Sequence, residues 1–361
     1  MPLAEPVSIP TDAPVLVTGA TGYVAGWVVK RLLDAGATVH AAVRDPGNAA
    51  KVAHLDAVAA EAPGTIRYFA ADLMEKGSYA EAMKGCRTVF HTASPFTVNV
   101  RDPQRELVDP AVEGTRNVLE QADATPSVER VVLTSSCAAI YTDAVDTTRA
   151  PGGRITEDVW NETASLDHQP YFLSKMLAER EAWNIADAQD RWRLVVVNPA
   201  LVLGPAVGGR PTSESFSIMK QAGRGDFRVG APKLGTGIVD VRDVADAHIA
   251  AAFLPDAEGR HIVAGHETDF HAFLSLLVPE YGDRFPLPKR VLPKWLVWLM
   301  APTVGLSRRF VANNVGHEWR ADNSKSRERL ALRYLPLETT VRDMFQWMID
   351  NGYFRKKPAK G

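Results

Sequence analysis

Cysteine is almost missing from this chain: two thiols, Cys86 and Cys137, stand among 361 residues. Two cysteines build neither a disulfide framework nor a metal-ligand cluster, which argues against a zinc site and fits a reducing compartment. An excess of charge is missing too. The net charge is −2 and the basic residues are scattered, so no nucleic-acid face is expected. No apolar run is long enough to span a bilayer. The most apolar late stretch, 291–304, contains Pro293, Lys294 and Pro302 and falls short of the ~20 residues that a spanning helix needs. It reads as an amphipathic helix capping a pocket, with contact to a membrane surface as the alternative. The opening MPLAEPVSIPTDAP lacks a basic start followed by an apolar run, so residues 1–12 read as a short disordered lead and not as a signal peptide. A cytoplasmic protein without membrane insertion is expected. Gly-Lys-Ser/Thr is also absent, which excludes a nucleoside triphosphatase loop.

What is present begins with PVLVTGATGYVAGWVVKRLLDAG, from Pro14 to Gly36. Val15-Leu16-Val17 has strand character, Thr18-Gly19-Ala20-Thr21-Gly22 forms a turn, and Val24, Val28, Leu32 and Leu33 fall on one face of a following helix. Gly19 permits the tight turn. Gly22 lets a pyrophosphate approach the backbone, where free N–H groups and the helix dipole favour an anion. The third glycine position of such a turn is Ala25, which the pattern tolerates, with Gly26 next to it. Thr18, Gly19, Thr21, Gly22, Tyr23 and Val24 are therefore the expected pyrophosphate-binding set of a dinucleotide site.

Strands and helices then alternate. Strands are expected at Thr38–Val43, Ile66–Ala70, Thr88–His91, Val131–Thr134 and Leu194–Val197, separated by helices near 49–62, 78–83, 108–122 and 171–189. Short strands that are apolar throughout, each followed by a helix, indicate an α/β fold with a doubly wound (Rossmann) parallel sheet covered on both faces. From Gly204 the pattern turns loop-like and glycine-rich. The domain expectation is a dinucleotide-binding domain over 13–203 and a smaller C-terminal substrate-binding part over 204–361. Residues 236–262 are expected to rejoin the first domain as strand and helix, with Asp243 as helix N-cap.

In such sheets the ligand lies beyond the carboxyl ends of the strands. After the strand ending near Leu133 stand Thr134-Ser135-Ser136. Tyr171 and Lys175, four apart in an expected helix, share a face. A phenol with a usual pKa of ~10 is a poor acid at neutral pH. A cation ~4 Å away at an effective dielectric of ~20 supplies about 4 kcal/mol, enough to lower that pKa by about three. Lys175 is thus sufficient in magnitude to activate Tyr171, although a Tyr and a Lys at this spacing, taken alone, are more often a solvated helix surface.

Over about residues 13 to 265 the chain resembles the extended short-chain dehydrogenase/reductases, and within them the dihydroflavonol reductase, cinnamoyl-CoA reductase and aldehyde reductase branch. The resemblance is carried by VTGATGYVAG, AAVRDPGN, AADLMEKGSYAEAMKGCRTVFHTASP, VVLTSSCAAIY, YFLSKMLAEREAW, NPALVLGP, DVRDVADAHIAA and EGRHIVAG. It implies that Ser136 hydrogen-bonds the substrate carbonyl, that Tyr171 donates the proton, and that Lys175 also binds the nicotinamide ribose. It implies adenine contacts at Asp72 and Leu73. Thr92, Ala93, Ser94, Thr134 and Ser135 are placed along the cofactor, and Pro199, Ala200 and Val202 near the nicotinamide. The acidic position that would hold a ribose 2′-hydroxyl is occupied by Val43, and Arg44 follows, which favours NADP (NADPH); Lys51 resembles a second cation on that side. Asp45, in Asp-Pro-Gly, reads as a turn residue.

Phe96, Thr97, Ile140 and Tyr141 are the expected substrate lining, and their types suit an apolar or aromatic carbonyl compound. The expected activity is NADPH-dependent reduction of an aldehyde or ketone to the alcohol. A hydroxysteroid dehydrogenase and a sugar-nucleotide epimerase or dehydratase are the enzyme alternatives; a nucleotide-sensing binding protein is the non-enzyme one. A homodimer stays open.

Overall fold

The computed structural model describes residues 7–94 and 100–354. The strands are β1 (Val15–Thr18), β2 (Thr38–Val43), β3 (Thr65–Ala70), β4 (Thr88–His91), β5 (Arg130–Thr134), β6 (Arg193–Pro199), β7 (Leu201–Leu203), β8 (Ala231–Pro232), β9 (Gly235–Asp240), β10 (Gly259–Val263), β11 (His266–Asp269) and β12 (Val291–Leu292). Seven of them form one sheet in the order β3-β2-β1-β4-β5-β6-β10, every neighbouring pair parallel. The first six follow the doubly wound dinucleotide-binding order, as the alternation of elements suggests, and β10 adds a seventh. β1 and β4 are buried along their whole length, which is why they read as unbroken apolar runs. β3, at the edge, exposes Thr65 and Arg67. A charge on an edge strand discourages further pairing.

The main helices are α1 (Tyr23–Asp34), α2 (Ala49–Glu61), α3 (Ala80–Met83), α4 (Asp109–Ala124), α5 (Ala144–Arg149), α6 (Pro170–Ala186), α7 (Glu214–Arg224) and α8 (Val241–Phe253). One face of the sheet is covered by α1 and α8, whose Val28, Leu32, Ala247 and Ala251 share a core with Val17, Val39 and Val197. Alanines let α8 lie buried on nearly all sides. The other face carries α4 and α6, with Val118, Leu119 and Ala182 packed on Leu16, Val89 and Val131.

Three local expectations change. Val7 and Ile9, expected within a disordered lead, pack against the first core, and Asp12 pairs with Arg87 at 2.8 Å. Asp240, not Asp243, caps α8: its carboxylate accepts from Arg242 N–H at 2.8 Å, because only Asp240 has the extended backbone that an N-cap needs. Asp243 lies inside the first turn, buried, and accepts from Leu335 N–H at 2.9 Å. The 236–262 segment divides. α8 and β10 lie with the large sheet, whereas β9 pairs with β7 and antiparallel β11 in a separate three-stranded sheet. A third core, built from Phe216, Met219, Phe273, Val341 and Phe345, serves this C-terminal part.

The late apolar stretch forms a short helix, Lys294–Met300, and a 3-10 turn, Ala301–Val304. It is anchored through Val297 and Ala301 against Val311 and Val315. Trp295, Trp298, Leu299, Met300 and Val304 face outward, and none of this stretch lines the cavity beside Lys175.

Candidate active site

The glycine turn after β1 has the geometry of an anion cradle. Gly19 sits at φ +61°, and a Cβ there would meet Ala93 at 3.0 Å. Gly22 is the N-cap of α1 and its N–H donates to Gly19 O at 2.8 Å. The first turn of α1 holds no acid, so its free N–H groups face a position suited to a pyrophosphate. Not every expected residue of this set offers its side chain. The Thr18 hydroxyl is buried, accepting from Ala93 N–H at 3.1 Å and bonded to His91 Nδ1 at 3.0 Å, so it ties β1 to the end of β4. Tyr23 donates from its hydroxyl to Gly204 O at 2.6 Å and stacks edge-on against Phe216. Val24 packs into the first core. Only the backbone of these last two residues is left for an anion, while Thr21 and Gly22 are exposed at the turn.

Beyond β2, Val43 is buried and no acid ends the strand; Arg44 and Lys51 are exposed. Asp45 accepts from Gly47 N–H at 3.1 Å, the local turn bond that its Asp-Pro-Gly context suggests. Asp72 caps Met74 N–H at 2.9 Å, and Leu73, packed against Gly114, lines a cavity.

That cavity runs along the carboxyl ends of β4 and β5 and is shared by Leu73, Ala93, Ser94, Thr134, Ser135 and Lys175. Lys175 Nζ donates to Ser94 Oγ at 3.0 Å and stands 5.8 Å from the Tyr171 ring centre. Desolvation pushes the ammonium down to about 8, while Glu179 opposes the shift. Tyr171 lies in the first turn of α6, which starts abruptly: Gln169 adopts the left-handed conformation at φ 60° and Pro170 takes the first helical position. Tyr171 as a whole is 37 % exposed, and its hydroxyl is within hydrogen-bonding reach of Ser136. Burial, and after it the Glu214 carboxylate, push the phenol up to about 12, and a hydrogen bond with Ser136 pulls it back in part. The expected lowering of the Tyr171 pKa by Lys175 is therefore not present in this arrangement; the ammonium is turned toward Ser94. Ser136 also caps the short 3-10 turn Cys137–Ala139, its Oγ accepting from Ala138 N–H at 3.1 Å.

Neighbouring residues have other duties. Ser135 donates to Glu179, which also accepts from Asn198 Nδ2 at 2.7 Å and is paired with Arg260. Ser135 is thus spent on a buried network, not free for a cofactor. Thr134 meets His248 Nε2 at 2.6 Å; since His248 Nδ1 faces the Val244 carbonyl at 2.7 Å, that nitrogen carries the proton and Thr134 donates. Ile140 is 1 % exposed inside a core with Ile155, Ile262 and Trp319, so it is not part of a substrate lining. The 3-10 turn after Ser136 rotates it inward. Tyr141 stays half-buried, edge-on to Phe172. Phe96 and Thr97 lie outside the described residues. Pro199 ends β6, Ala200 N–H donates to Val263 O at 3.1 Å, and Val202 sits in β7.

Sequence reasoning missed Glu179, Glu214, His91 and Arg260. Glu179 was within reach, one helical turn beyond Lys175 on the same face. Arg260 and Glu214 come from distant segments whose approach only the fold reveals.

The comparisons agree with this geometry. The sequence matches the NAD dependent epimerase/dehydratase family over residues 15–265. It is 39 % identical over 280 residues to a cinnamoyl-CoA reductase of Medicago truncatula, covering 76 % of this chain and 83 % of that protein. It is 37 % identical over 279 residues to tetraketide alpha-pyrone reductase 1 of Arabidopsis thaliana, covering 76 % and 83 %. Among solved structures, Gre2 of Candida albicans in complex with NADPH superimposes with a TM-score of 0.74 at 29 % identity, covering 94 % of this chain and 99 % of that one. The chain belongs to the NAD-dependent epimerase/dehydratase family, the extended short-chain dehydrogenase/reductases, and is an oxidoreductase akin to the reductases that act on carbonyl and alcohol groups.

Proposed function

We propose that the chain reduces an apolar or aromatic aldehyde or ketone to the alcohol with NADPH. The observation that carries the reading is the convergence of Ser136, Tyr171 and Lys175 on the carboxyl ends of β4 and β5, beside the glycine turn that meets Ala93. When bound, NADPH supplies the hydride. Ser136 and the Tyr171 hydroxyl hold the carbonyl oxygen, and Tyr171 gives that oxygen its proton as negative charge develops there. Lys175 places a cation near the phenolate left behind and holds ribose hydroxyls from the Ser94 side. Gly19, Gly22 and the N-terminus of α1 seat the pyrophosphate. Arg44, with no acid at the end of β2, meets the 2′-phosphate and sets the preference for NADPH over NADH.

The test is loss of NADPH absorbance across a panel of aromatic aldehydes, ketones and flavanonols, with NADH in parallel. Turnover of that panel with NADPH is expected, and turnover only of nucleotide sugars, or only with NADH, overturns the reading. Tyr171→Phe should reduce kcat by about 10²-fold or more, the usual worth of a positioned acid, with NADPH affinity near the wild-type value.

A further inference from the structure

The basic residues are scattered over most of the chain but stand unopposed in one stretch. From 284 to 317 there are Arg284, Lys289, Arg290, Lys294, Arg308 and Arg309, and no Asp or Glu. All six are exposed. The chain's net charge is −2, so six cations here leave −8 for the remainder. Among the described residues, Arg284, Lys289, Arg290, Arg308 and Arg309 have no carboxylate partner.

Among the described residues, seven of the eleven exposed large hydrophobic side chains fall between 291 and 306. In the helix KWLVWLM only Val297 is buried; Trp295 is 68 % exposed and Leu299 59 %, and Trp298 and Met300 are also exposed. Val304, at 60 %, and Leu306 extend the patch. A surface helix normally turns polar residues outward, and this one turns tryptophans, leucine and methionine. Lys294 opens the helix, and the Arg308 guanidinium, next to Arg309 in sequence, lies over the Trp298 ring at 4.1 Å, so these cations adjoin the apolar patch.

We propose that this face is a peripheral docking surface for anionic phospholipid bilayers. Trp295, Trp298 and Leu299 would enter the headgroup region while the flanking lysines and arginines meet lipid phosphates and carboxylates. Tryptophan is suited to that boundary because it offers an apolar ring with one polar N–H, and cations without nearby acids gain most from a negative surface. The net negative remainder of the chain would be repelled, which orients the molecule with this face down. A second copy is disfavoured as the occupant, since a two-fold contact would set Lys294, Arg308 and Arg309 against their own copies. None of the patch residues lines the cavity beside Lys175.

The test is sedimentation of the full chain with phosphatidylcholine vesicles, pure or with about 30 % phosphatidylserine, a content that gives a clearly negative surface. Binding is expected only to the anionic vesicles, weakening as salt is raised. Trp295→Ser with Trp298→Ser, and separately Arg308→Glu with Arg309→Glu, should each lower the bound fraction about tenfold, with carbonyl reduction in vesicle-free buffer unchanged. Equal binding to neutral vesicles, no binding to anionic ones, or variants that pellet like the wild type would overturn the proposal. So would a wild-type dimer, seen by sedimentation velocity, that the tryptophan pair abolishes, because a second copy would then own the face.

Discussion

Lys175→Met should make the protein more stable while making it inactive. The ammonium lies in the cavity where desolvation holds its pKa at about 8 against an ordinary 10.5. That interval corresponds to about 3 kcal/mol by which folding disfavours the charged form. Methionine fills a similar volume without the charge, and loss of the bond to Ser94 returns about 1 kcal/mol, leaving a net gain of about 2 kcal/mol near neutral pH. The pH dependence gives the sharper signature. Below about 8 the lysine is protonated in both states and the penalty is complete. Between about 8 and 10.5 the folded chain sheds the proton and the unfolded chain keeps it, so wild-type stability rises with pH. From pH 7 to pH 9.5 the gap between variant and wild type should therefore shrink by about 2 kcal/mol, read by urea unfolding of the cofactor-free proteins. A variant less stable than wild type at pH 7, with a gap that stays constant to pH 9.5, would show that the cation costs the fold nothing.

Arg44→Ala should raise KM for NADPH by at least tenfold and leave KM for NADH nearly unchanged, since only one of the two carries a 2′-phosphate; steady-state kinetics with both coenzymes decides it. Gly19→Ala forces a side chain into a left-handed conformation and onto Ala93, which should cost roughly 1–3 kcal/mol of stability and weaken NADPH binding, measured by thermal unfolding and calorimetric titration. Glu214→Gln removes a carboxylate that helps push the Tyr171 phenol up, so the alkaline limb set by that phenol should move toward neutrality in the alcohol-oxidation direction. A pH profile of kcat/KM unmoved by that change would remove Glu214 from the phenol's surroundings.

The sheet was legible because its strands are buried on both faces and bounded by turn residues; Thr38–Val43 and Thr88–His91 have the limits their apolar runs suggest. That Tyr171 and Lys175 share a helix face was legible from their spacing, whereas the choice of Ser136 beside them came from the family resemblance. What a neighbouring residue does was not. Ile140 and Tyr141 are adjacent in sequence, yet the turn after Ser136 sends one into the core and leaves the other half-buried. Ser135 and Ser136 are equally polar on paper, and a glutamate on another element claims Ser135. Asp240 and Asp243 both precede apolar residues; backbone angle alone decides which one caps. β9 escaped because a strand's sequence does not say which sheet it joins.

The seam between the coenzyme helix and the C-terminal part is fastened by Tyr23 on the Gly204 carbonyl and Trp27 on the Pro205 carbonyl at 2.8 Å. Both hydrogen bonds end on main-chain carbonyls, which every amino acid supplies. Substitutions that change the side chains at 204 and 205 therefore leave both of these bonds available, and the seam relies on sequence instead where Tyr23 meets Phe216 and Arg242 meets Asp343 at 2.8 Å.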